Sequence, residues 1–482
     1  MVAQGRRVSL NDQVVQTMTP DKTPADMIHR RFFTTAIVLV LTFGATWGAW
    51  LLWRIGFLGN FTGISVHEIN AHGHAQIFGW VGLFIMGIGY QVFARFWQTK
   101  LAAPRLAVAA FGIMTAGIIF HTVGQAITGQ WSGSAPLAMV GGFLELAAIL
   151  TFSAQILATF RASRKPFTPS IGFIFMALFW FVAMAAMDLW HNHTTMTALT
   201  RDRLLWFVAT YQAPLRDMQI HGLAVFMILG VSFQLLPAWY GVRLASARRH
   251  WIALAMLIFA VVVECLIFVA YRWTGLHVLA ALLMVPWLMI TIGIAMIVLP
   301  WKLWRPFKPA DRSAKFIRTA YLWLAVSLTM LLLLPAYLAI SKIPFSHAYY
   351  GAIRHAITVG FISLMIMGIS SRVAPAFNGI NPAGLSKLWG PFILINAGCF
   401  LRVSTQTLTD WNPAFYSIIG ISGVLEVIAL AWWGIGLVAI MRQGKKSLCQ
   451  PAPVRSHLNR FSPNQATATD STISPAISSS LR

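Results

Sequence analysis

His74-Ala-Gln-Ile-Phe-Gly-Trp-Val-Gly-Leu-Phe-Ile-Met-Gly-Ile88 and His355-Ala-Ile-Thr-Val-Gly-Phe-Ile-Ser-Leu-Met-Ile-Met-Gly-Ile369 share one pattern. Each opens on His-x4-Gly and closes on Ile-Met-Gly-Ile, with 13 residues from the His to the last-named Gly. Past the His, both stretches are almost free of ionisable side chains. That is the composition of a helix crossing a bilayer, which needs about 20 mostly apolar residues.

The rest of the chain agrees. Of its 482 residues 57 % are hydrophobic and 10 % charged, against about 25 % charged in ordinary soluble domains. Three Cys cannot staple a chain this long, so a disulfide scaffold is excluded. Apolar runs predict twelve spans, at 33–57, 70–94, 104–128, 135–160, 168–190, 217–240, 250–271, 276–300, 317–341, 349–375, 388–406 and 414–441. The expected fold is an all-α polytopic membrane protein.

Lys and Arg outnumber Asp and Glu by 36 to 13, a net charge of +23. The cations gather in alternate short connections, such as Arg161/Arg164/Lys165 and the run from Lys302 to Arg318 that includes Lys308. This is the positive-inside pattern, and it places both termini in the cytoplasm. A nucleic-acid partner would need a basic soluble face instead, so none is expected; the partner is the lipid bilayer. The first 32 residues are polar and lack the apolar segment of a signal peptide. The Ser-, Thr- and Pro-rich tail from 447 to 482 reads as disordered.

Helix 6 joins the pattern through Gly230, because Pro237-Ala-Trp-Tyr-Gly241 comes after it as Pro375-Ala-Phe-Asn-Gly379 comes after Gly368. Gly87, Gly230 and Gly368 are 143 and 138 residues apart, four spans each time. Gly117 and Gly398 lie 30 beyond their anchors, and Glu145 and Glu426 lie 58 beyond theirs. The expected organisation is three four-helix repeats, 33–165, 166–312 and 313–446, between a cytoplasmic segment 1–32 and the tail 447–482. Such a bundle has pseudo-threefold symmetry and encloses sites between its units.

Ionisable side chains inside a bilayer are costly and need a reason. His72, His74, His221 and His355 fall near the outer ends of helices 2, 6 and 10. Small residues come after His74 and His355, leaving room for a flat macrocycle, and neutral imidazole is an axial ligand of heme iron. His74 and His355, matched by the repeat, are candidates to ligate one iron from both sides; the alternative is that each bonds a neighbouring carbonyl. His72 lies two residues before His74, about 200° round a helix, so both cannot face one metal unless the helix starts between them. His67 and His347 stand about two turns further out as candidates for a second metal. His221 lies one turn deeper than its repeat-equivalent, Asp217. His191-Asn-His193 forms a copper-compatible pair in an expected outer loop. At 34 beyond each anchor stand His121, Glu264 and Arg402. Arg402 is a candidate partner for a heme propionate, and Glu145 and Glu426 for proton transfer or pairing between helices. Arg372 ends helix 10 as an inner-face anchor.

The stretch Arg354-His-Ala-Ile-Thr-Val-Gly-Phe-Ile-Ser-Leu-Met-Ile-Met-Gly-Ile-Ser-Ser-Arg-Val-Ala374, with Phe400-Leu-Arg-Val403 after it, resembles the signature helices of the NnrS family. The resemblance implies a multi-pass protein of the bacterial inner membrane, containing heme and copper and tied to nitric oxide response or nitrosative-stress protection. Its partners would be a diatomic gas such as nitric oxide and an electron-donor protein or quinol. It carries the signature His onto His355 and the early His cluster onto His72 and His74. Ala71-His-Gly-His-Ala-Gln-Ile-Phe-Gly79 is also similar to the heme-binding second helix of heme-copper oxidase catalytic subunits. Helix 7 lacks their His pair and helix 10 their His-x-His, so an oxygen-reducing terminal oxidase is not expected. A heme-dependent oxidoreductase, a divergent oxidase-like subunit and a transporter or channel using intramembrane His and Glu remain as readings.

Overall fold

The computed structural model describes residues 27–307 and 311–449. Most of the expected N-terminal segment, Lys308 and the tail from 450 lie outside the described residues. All described secondary structure is helical. Among the described residues twelve long helices succeed one another: α1 Ile28–Leu58, α2 Val66–Phe96, α3 Pro104–Ala126, α4 Ser134–Ser163, α5 Pro169–Met196, α6 Arg201–Tyr240, α7 Ala247–Thr274, α8 His277–Trp301, α9 Ala314–Ser341, α10 His347–Phe377, α11 Trp389–Leu408 and α12 Pro413–Gln443. All but α11 are long and apolar enough to cross a membrane, eleven in number. The 20 residues of α11 include Asn396, Arg402 and Gln406, which dilute its apolar character. The protein is a polytopic all-α membrane protein.

Local chemistry sets the ends. Ser65 caps α2 by accepting from the backbone N–H of His67, and Glu68 reaches back to the Ser65 N–H, closing a capping box. Ser346 caps α10 by accepting from Tyr349 N at 2.8 Å. Gly241 stops α6 at φ +61, a left-handed conformation that costs a glycine little.

One connection differs from expectation. The expected loop 191–216 is nearly all helix, because α5 runs on to Met196 and α6 begins at Arg201. Thr200 caps the new start, accepting from Arg203 N at 3.3 Å. His191 and His193 are therefore two residues apart on one helix, about 200° round its axis. His191 is buried and His193 exposed, so they form no joint copper pair.

Helices α2, α6 and α10 form the inner ring, with 100 %, 83 % and 78 % of their apolar windows buried against 33–61 % for the other spans. Trp80 Nε1 on α2 donates to Ser363 Oγ on α10 at 3.1 Å, and Tyr321 OH on α9 donates to Ser232 Oγ on α6 at 2.8 Å. The outer helices pair as α3 with α4, α7 with α8 and α11 with α12, and α12 returns to pack on α1. Their outward faces carry exposed large apolar residues such as Phe143, Phe259 and Ile435, the surface expected against lipid.

Each inner helix contains a π-helical stretch, at Ala75–Gly82, Met218–Val225 and Ala356–Ser363. Each stretch begins twelve residues before Gly87, Gly230 or Gly368. At the end of the bundle where α10 leaves the ring, Arg372 pairs with Asp311 and lies over Trp239 at 4.7 Å. Tyr240 OH donates to Asp311 Oδ1 at 2.9 Å. Arg372 thus ties α10 to α6 and to the connection before α9.

Candidate metal centre

The His-bearing turn of α2 sits just before its π-helical stretch. There His74 points into the space between α3, α4 and α5. Its Nε2 lies 2.7 Å from Glu145 Oε1 and its Nδ1 3.1 Å from Asp188 Oδ2. His121 Nδ1 lies 3.2 Å from Glu145 Oε2, and the two imidazole rings lie with centroids 3.7 Å apart. Phe78 covers His74 with centroids 4.3 Å apart. All four ionisable residues are buried, and one ligand atom from each lies within 4.8 Å of the others.

Close helix packing makes this approach possible. A Cβ on Gly117 would stand 2.8 Å from Glu145 Cγ and 2.9 Å from Gly141 O. Only a residue without a side chain lets α4 lie this close to α3, as small residues do in membrane bundles. The same holds between α11 and α12, where a Cβ on Gly398 would stand 2.8 Å from Glu426 Cγ. The two glycines that stand 30 beyond Gly87 and Gly368 thus admit the two carboxylates that stand 58 beyond them.

A second cluster gathers Asp217 and His221 of α6 with Glu264 of α7. His221 Nδ1 is 2.9 Å from Glu264 Oε2, Trp287 Nε1 of α8 donates to Glu264 Oε1 at 2.8 Å, and Arg354 of α10 is 3.8 Å from Asp217. The third position is different. His355, Arg402 and Glu426 occupy the offsets held by His74, His121 and Glu145, but a guanidinium replaces the middle metal donor. Arg402 is buried and its Nε and Nη1 have no hydrogen-bond partner among the described residues.

The imidazoles fall into two chemical classes. A carbonyl oxygen only accepts, so His72 Nδ1, 3.0 Å from Gly44 O, and His355 Nδ1, 2.9 Å from Gly351 O, each carry the proton. The remaining Nε2 of each then presents a lone pair, the form in which imidazole ligates iron. His355 lies within electrostatic range of both His72 and Arg402. His74 instead faces a carboxylate with each nitrogen, which leaves it no uncommitted lone pair. A divalent ion would satisfy that arrangement by taking the place of a shared proton: two imidazoles and two carboxylates are donors for first-row divalent metals. His121 Nε2 is buried without a hydrogen-bond partner among the described residues and is 3.7 Å from Asp188 Oδ2, so the donor set fits a metal.

The sequence-derived candidates thus separate. His74, His121 and Glu145 come together, and His221 joins Glu264. His72 and His355 lie within electrostatic range of Arg402, and Arg402 within that of Glu426. His67 stays in the first turn of α2 with a buried, unpartnered Nδ1, and His347 is exposed at the start of α10; neither joins a cluster among the described residues. Sequence reasoning missed Asp188, the fourth member of the first cluster, whose only signal is a lone carboxylate in an apolar run without a counterpart elsewhere. It also missed Arg216, which donates to Gln219 at 2.8 Å and Asn70 at 3.3 Å beside the first cluster.

Compared with known protein families, residues 26–444 match the family model described as NnrS protein. No curated protein matches the chain. With the match spanning nearly the whole bundle, the chain belongs to the NnrS family.

Proposed function

We propose that this protein is a metal- and heme-containing membrane protein of the bacterial inner membrane that acts on nitric oxide or a related diatomic molecule by redox or gas binding. The observation that carries this reading is the gathering of scarce intramembrane donors into one four-ligand cluster, beside two imidazoles that each keep a free Nε2. Charges are expensive at this depth, and a purely structural helix contact does not need four of them.

In this reading His72 and His355 would hold the iron, replacing the pairing of His74 with His355 that the sequence suggests. Arg402, with unpartnered Nε and Nη1 among the described residues, offers the donors a propionate needs. Bound there, heme would supply electron transfer or gas binding. Gly44 and Gly351 carbonyls fix both ring tautomers, so the protein sets ligand orientation in advance. His74, His121, Glu145 and Asp188 would hold a non-heme divalent metal. Copper, an electron-donor protein or quinol, and a position near the outer face complete the proposal. The repeat belongs to it too, supported by the matched π-helical stretches, the matched Gly117 and Gly398, and the matched polar positions.

The test is heme and elemental analysis of detergent-purified full-length protein grown with ample iron and heme precursor. The reading predicts stoichiometric heme and a non-heme metal, with a spectral response of the reduced protein to nitric oxide. A colourless, metal-free preparation would refute it and favour transport.

A further inference from the structure

Twelve side chains of the three inner helices line a cavity of about 50 Å³ between them. Its twelve lining residues come from four positions on each helix: six, three and two residues before Gly87, Gly230 and Gly368, and one after. The set nearest the His-bearing turns is Val81, Ala224 and Ile362, and the furthest is Ile88, Val231 and Ile369. Every lining residue is apolar. From the structure we infer that this cavity is a dry binding site for small uncharged apolar molecules, of the class of dissolved diatomic gases and xenon.

Water is the competing occupant, and the lining decides against it. A buried water needs two to four polar partners, and no side chain in this lining offers one. An apolar cavity of this size stays dry and takes up xenon or a small hydrocarbon, which regains dispersion contacts that a void forfeits. The site is built into the helices. On an unbroken α-helix, positions seven apart lie within about 20° of each other, so His74 and Val81 would share a face, as would His355 and Ile362. The π-helical stretch between them takes up an additional residue and rotates the succeeding turns by about 100°. Polar groups therefore aim outward into the surrounding helices, while the next two turns aim apolar side chains at the axis. Seven residues of rise place the cavity about 10 Å along the bundle from the His-bearing turns.

The experiment uses xenon as the probe, on full-length protein in detergent, by pressurised crystallography or by 129Xe NMR. The expected result is one xenon site between α2, α6 and α10, abolished by Ala224→Phe and kept in Leu322→Phe, which alters only the exposed face. Should Ala224→Phe not fold, Val81→Phe fills the same space from another helix. Ordered water on the axis, no xenon there, or xenon binding unchanged by both filling variants would overturn the inference. None of these readouts needs a bound metal or heme, so failure here leaves the proposed function standing, and the reverse.

Discussion

Glu145→Gln probes the first cluster with the least change of shape. The carboxylate accepts from two imidazoles through different oxygens, at 2.7 Å from His74 and 3.2 Å from His121. An amide keeps one accepting oxygen and replaces the other with NH2, so one contact survives and the other faces donor to donor. Losing a hydrogen bond to a charged group costs about 1.5–3 kcal/mol in soluble proteins, whereas interhelical bonds in membranes average about 0.6 and reach about 1.7 kcal/mol. Burial of both partners puts this case at the upper end, so a loss of about 1–3 kcal/mol is expected from those two ranges. Metal affinity falls further. Orienting partners of metal ligands are worth about 10–100-fold, and removal of a ligating charge should match or exceed about 100-fold by that yardstick. Thermal unfolding is followed with a thiol-reactive dye, since Cys399 is buried and Cys265 half-buried, and metal is quantified on the same samples. A Glu145→Gln protein that melts like the wild type and keeps its metal would refute both the pairing and the ligand role.

Gly117→Val and Gly398→Val should each wedge a helix pair apart, with loss of non-heme metal in the first and of heme in the second; crossed or absent effects, read from metal and heme content, would dissociate the glycines from their carboxylates. Asp188→Asn should lower metal content while leaving the heme spectrum unchanged, because Asp188 contacts His74 and approaches His121 on the far side of α2 from His72. Arg372→Ala should cost about 1–2 kcal/mol from the lost cation–π contact and ion pair, visible as a lower melting temperature with metal and heme retained.

Much of the architecture was legible beforehand, for a physical reason. Bilayer thickness forces long apolar runs, so composition alone locates the helices. Scarcity makes polar residues informative: His74, His121 and Glu145 stand at matched offsets from one glycine, but the sequence paired His74 with His355, and only packing shows that the three meet. The features that escaped were set by packing rather than pattern. Asp188 reaches His74 from α5 without a matching carboxylate elsewhere. The helical course of 191–216 is hidden by its mixed charge, and it dissolves the apparent His191/His193 pair. The division between His72 and His74 was the least legible feature. Their separation of about 200° says that they part, but only the carbonyl of Gly44 and the carboxylates of Glu145 and Asp188 show which ring keeps a free nitrogen.

Heme ligation by His72 and His355 is tested most directly by absorption spectra, oxidised and dithionite-reduced, of the purified protein beside its His72→Ala, His355→Ala and His74→Ala variants. The predicted result is a heme Soret band that is lost or strongly shifted in His72→Ala and His355→Ala and retained in His74→Ala, which loses non-heme metal instead. Wild-type protein without heme, or an unchanged spectrum in both His72→Ala and His355→Ala, would contradict it.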